Sequence, residues 1–170
     1  AFSNAGQRCA SGSRIIIFDS IYDKFKSRLV KAANALSVGP DDNDALGPVI
    51  NEKQLMNMLA SIEAAKKSGA EILCGGTRLT GSDHVNGFYV APTLLEKVTP
   101  QDEISRRELF GPIAILYRVA DFGEALEMAN DSPYGLTACI HTQNYHRAMH
   151  FSHKVKCGAT VVNAGTYGSE

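Results

Sequence analysis

The sequence predicts an α/β domain with a largely parallel β-sheet flanked by helices. Short apolar runs alternate along the chain with longer segments in which apolar residues recur every three or four positions. Such alternation is typical of strands joined by helices, which pair in parallel. The 170 residues suffice for one hydrophobic core and are short for two. We therefore expect a single domain over residues 1–170, without repeats or linkers.

The first part of the chain predicts a strand and two helices. Residues 15–18 form a β-branched apolar run, and Ser20 with Asp23 has the spacing of a helix capping box. A second helix is expected over Glu52–Lys67, where apolar side chains share one face. The apolar face expected for the first helix consists of Ile21, Phe25, Leu29, Ala32, Ala33 and Leu36.

The rest of the chain continues the alternation. Strands are predicted over 70–74, 88–90, 93–95 and Ile113–Val119, and the last is apolar enough to be central in its sheet. The pattern then predicts a helix over Phe122–Asn130, a strand over 136–141, a helix over 145–155 and a final strand over 159–163.

Composition favours a soluble protein with a small-molecule substrate. Apolar residues make up 44% of the chain and charged residues 21%, and no apolar run approaches the length of a membrane span. The net charge is −1, with scattered lysines and arginines, so we expect neither a nucleic-acid partner nor an anionic membrane partner.

Cysteine usage points to a reducing cytoplasm. The four cysteines have no C-x-x-C pair, which argues against a zinc site and against a disulfide framework. Cys74, Cys139 and Cys157 fall in or beside predicted strands, where a free cysteine is usually a small buried hydrophobe. Cys9 differs, because the preceding Gly-Gln-Arg suits an exposed backbone corner. The chain starts with Ala1 and no secretory signal, so we expect it to begin in mid-protein.

Two segments carry the chemistry. Residues 2–11 read Phe-Ser-Asn-Ala-Gly-Gln-Arg-Cys-Ala-Ser, which resembles the cysteine signature of the aldehyde dehydrogenase superfamily. Residues 108–112 read Glu-Leu-Phe-Gly-Pro, which resembles a second motif of that family, in the family's order and separation. Further matches at 87–92, 130–135 and 158–163 extend the resemblance over essentially the whole chain. The chain is thus similar to the catalytic domain of an NAD(P)-dependent aldehyde dehydrogenase.

The resemblance implies that Cys9 is the nucleophile. Its sulfur would form a thiohemiacetal with the aldehyde, hydride would pass to NAD or NADP, and water would hydrolyse the resulting thioester. The family's oxyanion site uses the cysteine's own N–H, here that of Cys9. Its glutamate base and its oxyanion asparagine lie upstream of the cysteine motif, outside this chain.

The resemblance also implies a partial cofactor site. Glu108 would hydrogen-bond the nicotinamide ribose, Phe110 would pack at the nicotinamide end, and Gln54 and Leu136 would make weaker contacts. Arg107 could pair with Glu108 and change that contact. No G-x-G-x-x-G follows a predicted strand, and the family's dinucleotide-binding domain lies upstream. We therefore expect the chain alone to lack that domain and a C-terminal segment, and to be inactive.

Arg8 gives the one indication of substrate. An arginine beside the nucleophile can bind a carboxylate through two parallel hydrogen bonds, which suggests a carboxylated semialdehyde, although Arg8 could equally pair with a structural acid. By resemblance, Ser3 and the 164–167 stretch with Ala164 and Tyr167 would line the same tunnel. His146, His150 and His153 could share a helix face, yet no carboxylate accompanies them, so we expect a solvated face and no metal.

Other functions stay open at this point. An acylating relative would pass the acyl group to coenzyme A, a cysteine hydrolase would need a histidine beside Cys9, and a silent domain would serve only packing or assembly. The family's members are usually homodimers or homotetramers, and the exposed edge of the final strand is a plausible pairing surface.

Overall fold

The computed structural model describes residues 1–166, which contain strands and helices in the expected alternation. The strands are β1 (Arg14–Phe18), β2 (Glu71–Cys74), β3 (Thr93–Glu96), β4 (Ile113–Val119), β5 (Thr137–Ile140) and β6 (Ala159–Val162). The helices are α1 (Asp19–Asn34), α2 (Glu52–Lys67), α3 (Glu103–Arg106), α4 (Phe122–Asn130) and α5 (Tyr145–Lys154). Short 3-10 turns occur at Ser3–Gly6 and Ser82–His84.

Four of the strands form a mixed sheet in the order β1-β4-β3-β2. Strand β4 pairs in parallel with β1 on one side and with β3 on the other, whereas β2 is an antiparallel edge. Strands β5 and β6 form a separate parallel pair. The predicted α/β class with a largely parallel sheet is confirmed, and β4 is central as its apolar sequence indicated.

Helices cover both faces of the four-stranded sheet. On one face, α2 packs Leu55, Met58 and Ile62 against strand residues that include Leu95 and Ile115. On the other face, Tyr22 and Ala33 of α1 pack in a second cluster, which includes Ile17, Leu94, Ala114 and Leu116 of the strands. Because neighbouring strand residues point to opposite faces, the two clusters take alternate positions of β3 and β4.

The structure corrects the prediction for α1. The helix begins at Asp19, so Ser20 and Asp23 do not form a capping box. The carboxylates of Asp19 and Asp23 instead accept hydrogen bonds of 2.6 Å from Arg118 of β4. Tyr22 is buried against the sheet, whereas Ile21 and Phe25, which were expected on the buried face, are exposed. Leu29 and Ala33 of the expected face do pack against the sheet.

Two further differences concern short segments. Residues 88–90, expected to form a strand, contribute only a single bridge between Val90 and Arg78. Helix α3 was not predicted, because four residues are too few to show a helical period. Within the described part of the chain, no helix is long and apolar enough to cross a membrane.

Candidate active site

Cys9 lies exposed on a tight turn near the start of the chain. The Ser11 N–H donates to the Arg8 carbonyl oxygen at 3.0 Å, which places Cys9 at the corner of that turn. The preceding 3-10 turn contains Asn4 and Ala5 in the left-handed region, at φ 54° and 52°. This bent backbone presents Cys9 at the surface, as the sequence predicted.

The turn that carries Cys9 contacts the Glu-Leu-Phe-Gly-Pro segment directly. Gly6 has a φ of 67°, and a Cβ atom there would overlap the carbonyl oxygen of Gly111. A side chain at Gly111 would in turn overlap Met58 of α2. Glycine is therefore needed at Gly6, where φ is positive and the neighbour is backbone, whereas the contact at Gly111 is with the flexible end of Met58. The close packing joins two motifs about one hundred residues apart in sequence.

The start of α2 holds both segments in place. The Gln7 amide donates to the Pro48 carbonyl oxygen at 3.1 Å and accepts from the Ile50 N–H at 2.9 Å. One helical turn further on, the Gln54 amide nitrogen donates to the Leu109 carbonyl oxygen. Gln54, a predicted cofactor contact, thus lies against the Glu108 segment. Its amide nitrogen is used in this hydrogen bond, and among residues 1–166 its Oε1 atom remains free to accept a hydrogen bond from a ligand.

The carboxylate of Glu108 is exposed and makes no hydrogen bond or ion pair with any of residues 1–166. Arg107, which could have paired with Glu108, instead lies 3.2 Å from the Glu103 carboxylate, one helical turn earlier. The next candidate, Phe110, has a φ of 52° and a side chain 40% exposed. Both predicted cofactor contacts therefore face outward from one bent segment.

Leu136 reaches the same region from the turn before β5. Its side chain is 53% exposed, and its carbonyl oxygen accepts from the Ala159 N–H at 2.9 Å. Tyr134, two residues earlier, accepts a 3.0 Å hydrogen bond from the Glu108 N–H. The structure thus links the backbone at Glu108 to the turn that carries Leu136.

Of the predicted substrate residues, Ser3, Arg8 and Ala164 lie on or near the Cys9 turn in sequence or in space. Thr166 donates through its hydroxyl to the Ala10 carbonyl oxygen, which brings the stretch containing Ala164 to the turn that carries Cys9. Ser3 and Arg8 are exposed, and Arg8 makes no ion pair with the described acids. Tyr167 lies outside the described residues.

The other cysteines differ in their surroundings. Cys74 is buried, and burial raises the pKa of its thiol. Cys157 is half-buried, with its thiol donating to the Ala159 carbonyl oxygen at 3.2 Å. The expectation that Cys139 is buried is wrong, because β5 belongs to a two-stranded sheet that leaves this residue exposed.

Histidines do not assemble a site in the part of the chain that the structure describes. His146, His150 and His153 are exposed on α5, and His150 packs edge-on against Phe122 with ring centroids 5.5 Å apart. No group of three metal-binding side chains occurs among residues 1–166.

Two supporting residues were not singled out from the sequence. Gln7 stands inside the cysteine motif, but its bridge to Pro48 and Ile50 depends on folding over more than forty residues. Tyr134 falls within the matching 130–135 stretch, which was the available signal, yet its contact with Glu108 is a tertiary one.

Comparison with known proteins agrees with the two motifs. A family model described as "Aldehyde dehydrogenase family" matches residues 1–170. The chain is 36% identical to alpha-ketoglutaric semialdehyde dehydrogenase of Bacillus subtilis, over 100% of this chain and 35% of the relative. It is 37% identical to alpha-ketoglutarate semialdehyde dehydrogenase of Haloferax volcanii, over 99% of this chain and 35% of that relative.

Solved structures give the same result. Betaine aldehyde dehydrogenase of Staphylococcus aureus, in complex with NAD⁺, superposes with a TM-score of 0.92 at 31% identity, over 95% of this chain and 33% of the other. The chain thus spans about a third of the length of the relatives it matches. Because the family model covers the whole chain, the chain belongs to the aldehyde dehydrogenase family.

Proposed function

We propose that the chain supplies the nucleophile and one end of the cofactor site for oxidation of an aldehyde to its carboxylic acid with NAD or NADP. The observation that carries this proposal is the direct packing of the Cys9 turn on the Glu108 segment, through Gly6 and Gly111. It is further supported by relatives named as semialdehyde dehydrogenases and by a relative solved with NAD⁺.

Cys9 performs the covalent chemistry in this account. Its sulfur adds to the aldehyde carbon, which turns a planar carbonyl into a tetrahedral thiohemiacetal from which hydride can leave. NAD(P)⁺, when bound, accepts that hydride. Water then cleaves the thioester on Cys9, which releases the carboxylic acid and restores the thiol. A cysteine hydrolase is less well supported, because none of the described histidines forms a hydrogen bond with Cys9.

The described residues fit the ribose and nicotinamide end of the cofactor. The Glu108 carboxylate is unpaired among residues 1–166, and such an acceptor suits ribose hydroxyls. Phe110 and Leu136 add exposed apolar surface on adjoining segments, and Gln54 offers its Oε1 atom. The sequence has no glycine-rich phosphate loop after a strand, so we assign the other end of the cofactor to a part of the enzyme outside this chain.

Arg8 selects a carboxylated aldehyde in this account. Its guanidinium is exposed next to Cys9 and unpaired among the described acids, so it is available to a substrate carboxylate. Ser3, Ala164 and Tyr167 complete the lining that we propose. Arg8→Leu should lower turnover of a semialdehyde relative to that of a neutral aldehyde by roughly tenfold or more. An unchanged ratio of the two rates would refute this role.

The chain forms, in our proposal, the catalytic domain of a cytoplasmic homodimer or homotetramer. The four cysteines are free, which fits a reducing compartment. Strand β6 has β5 as its one partner among the described strands, so its other edge is available for pairing between subunits.

The test of the proposed reaction uses the complete protein, expressed from the whole reading frame that contains this chain. Formation of NADH or NADPH from a panel of aldehydes should be abolished in Cys9→Ser. Cys139→Ser is the matched control, since Cys139 is also an exposed free thiol, and it should retain turnover. The proposal fails if Cys9→Ser is as active as the wild type, or if no aldehyde is oxidised.

A further inference from the structure

The backbone at Glu108 is attached to a segment far away in sequence. The Glu108 N–H donates to the Tyr134 hydroxyl oxygen at 3.0 Å. Tyr134 stands two residues before Leu136, in the turn between α4 and β5. One hydrogen bond therefore joins the segment that carries Glu108 to the segment that carries Leu136.

Glu108 depends on such an attachment because its neighbours leave the helical path. Helix α3 ends at Arg106, and Arg107 is extended, with φ −105° and ψ 133°. The other fixed points of the segment come later, where Gln54 holds the Leu109 carbonyl and Gly111 packs on Gly6. The bond from Tyr134 fixes the peptide of Glu108 itself.

The turn that carries Tyr134 is itself well supported. The Gly158 N–H donates to the Gly135 carbonyl oxygen at 2.8 Å, which ties the turn to the start of β6. Asp131 forms an ion pair of 3.0 Å with Arg106, the last residue of α3. The backbone of Tyr134 is therefore held in place, although its side chain is 55% exposed.

We propose that Tyr134 is a positioning residue that sets the Glu108 carboxylate at the cofactor ribose. This rests on the proposed function, in which Glu108 contacts the cofactor. Tyr134 itself does not touch the reacting atoms. Its hydroxyl holds the Glu108 peptide in the orientation that points the carboxylate outward. It also fixes the position of Glu108 relative to Leu136.

The test is Tyr134→Phe in the complete protein, which removes the hydroxyl and keeps the ring. The KM for the cofactor should rise roughly two- to tenfold, the range for loss of one hydrogen bond. The kcat at saturating cofactor and the rate of Cys9 alkylation without cofactor should change much less. Tyr145→Phe is the matched control, because Tyr145 is 70% exposed on α5 and its hydroxyl has no hydrogen bond to the described residues.

A double-mutant cycle with Glu108→Gln separates positioning from general destabilisation. If Tyr134 acts through Glu108, adding Tyr134→Phe to Glu108→Gln should raise the KM little further. The proposal is overturned if Tyr134→Phe leaves the KM unchanged, or if it raises the KM equally in both backgrounds. If Glu108→Gln alone leaves the KM unchanged, the assignment of Glu108 fails first, and the role of Tyr134 fails with it.

Discussion

At the scale of the residue, Gly6 is where the Cys9 turn meets the Glu108 segment. Its backbone has a φ of 67°, and its missing side chain leaves room for the Gly111 carbonyl. Any larger residue would strain the backbone and push the Cys9 turn away from Glu108. The relative position of the proposed nucleophile, Cys9, and the proposed cofactor contact, Glu108, therefore depends on a residue that has no role in the proposed chemistry.

Gly6→Ala should lower the free energy of unfolding by about 1–3 kcal/mol and greatly reduce aldehyde oxidation. Thermal or denaturant unfolding and an NADH assay of the complete protein would measure both effects. Gly12→Ala is the control, since a side chain there would meet nothing within 4 Å. Wild-type stability and activity in Gly6→Ala would contradict the proposed close packing.

At the scale of the element, a buried carboxylate fastens α1 to the end of β3. Glu96 accepts hydrogen bonds from the Tyr22 hydroxyl at 2.7 Å and from Lys26 at 2.9 Å. Burial alone would raise the pKa of Glu96, but the hydrogen bonds from Lys26 and Tyr22 outweigh burial and lower it. The same burial, with the bond to Glu96, raises the pKa of Tyr22.

A lowered carboxyl pKa stabilises the fold above the unfolded value of 4.5, and this contribution is lost as the pH falls below it. Glu96→Gln should cost about 1–3 kcal/mol near neutral pH and flatten the loss of stability on acidification. Urea unfolding at several pH values measures both. Glu63→Gln, at an exposed site on α2, is the control and should change neither the stability near neutral pH nor its dependence on acid pH. An equally steep acid dependence in Glu96→Gln would show that other carboxylates control it.

The helices and strands show which features local sequence patterns predict. Strand β4 was predicted because it is a long, nearly continuous apolar run, and helix α2 because its apolar residues recur every three or four positions. The buried face of α1 was predicted correctly at Leu29 and Ala33 but wrongly at Ile21 and Phe25. At that end the helix is attached to the sheet by ion pairs of Asp19 and Asp23 with Arg118. Local patterns do not contain such long-range ion pairs.

In the site, too, local sequence predicted the candidate residues but not the long-range contacts between them. The motifs alone identified Cys9 and Glu108, because short segments of distinctive sequence carry them. The contacts that bring these segments together are tertiary: Gly6 on Gly111, Gln54 on Leu109 and the Tyr134 hydroxyl on the Glu108 N–H. No spacing in the sequence predicts those contacts.

At the scale of the whole molecule, the chain spans about a third of the relatives it matches, and its candidate site lies open. A cavity of about 220 Å³ near the end of α1 is lined by residues such as Ala33, Leu79 and Pro92, and it includes none of the candidate site residues. The side chains of Cys9, Glu108, Phe110 and Leu136 are exposed, so the candidate site is open to solvent in the described residues. We infer that further protein encloses the substrate.

The isolated chain should accordingly form no NADH from aldehydes, while iodoacetamide should still alkylate its exposed Cys9. A spectrophotometric assay and mass spectrometry of the same sample measure the two properties. The complete protein, assayed in parallel, is the positive control. Aldehyde oxidation by the isolated chain would contradict the view that its cofactor site and general base are incomplete.

The most direct test of the central claim is to trap the acyl group on the nucleophile. The complete protein, mixed with aldehyde and cofactor and quenched in acid within the first turnover, would be digested with trypsin. Cleavage after Arg8 and Arg14 releases Cys9 in its own short peptide, apart from the other cysteines. We predict the mass of the acyl group on that peptide and none on the peptide containing Cys139. Reduced cofactor formed with the acyl group on another residue would contradict the account.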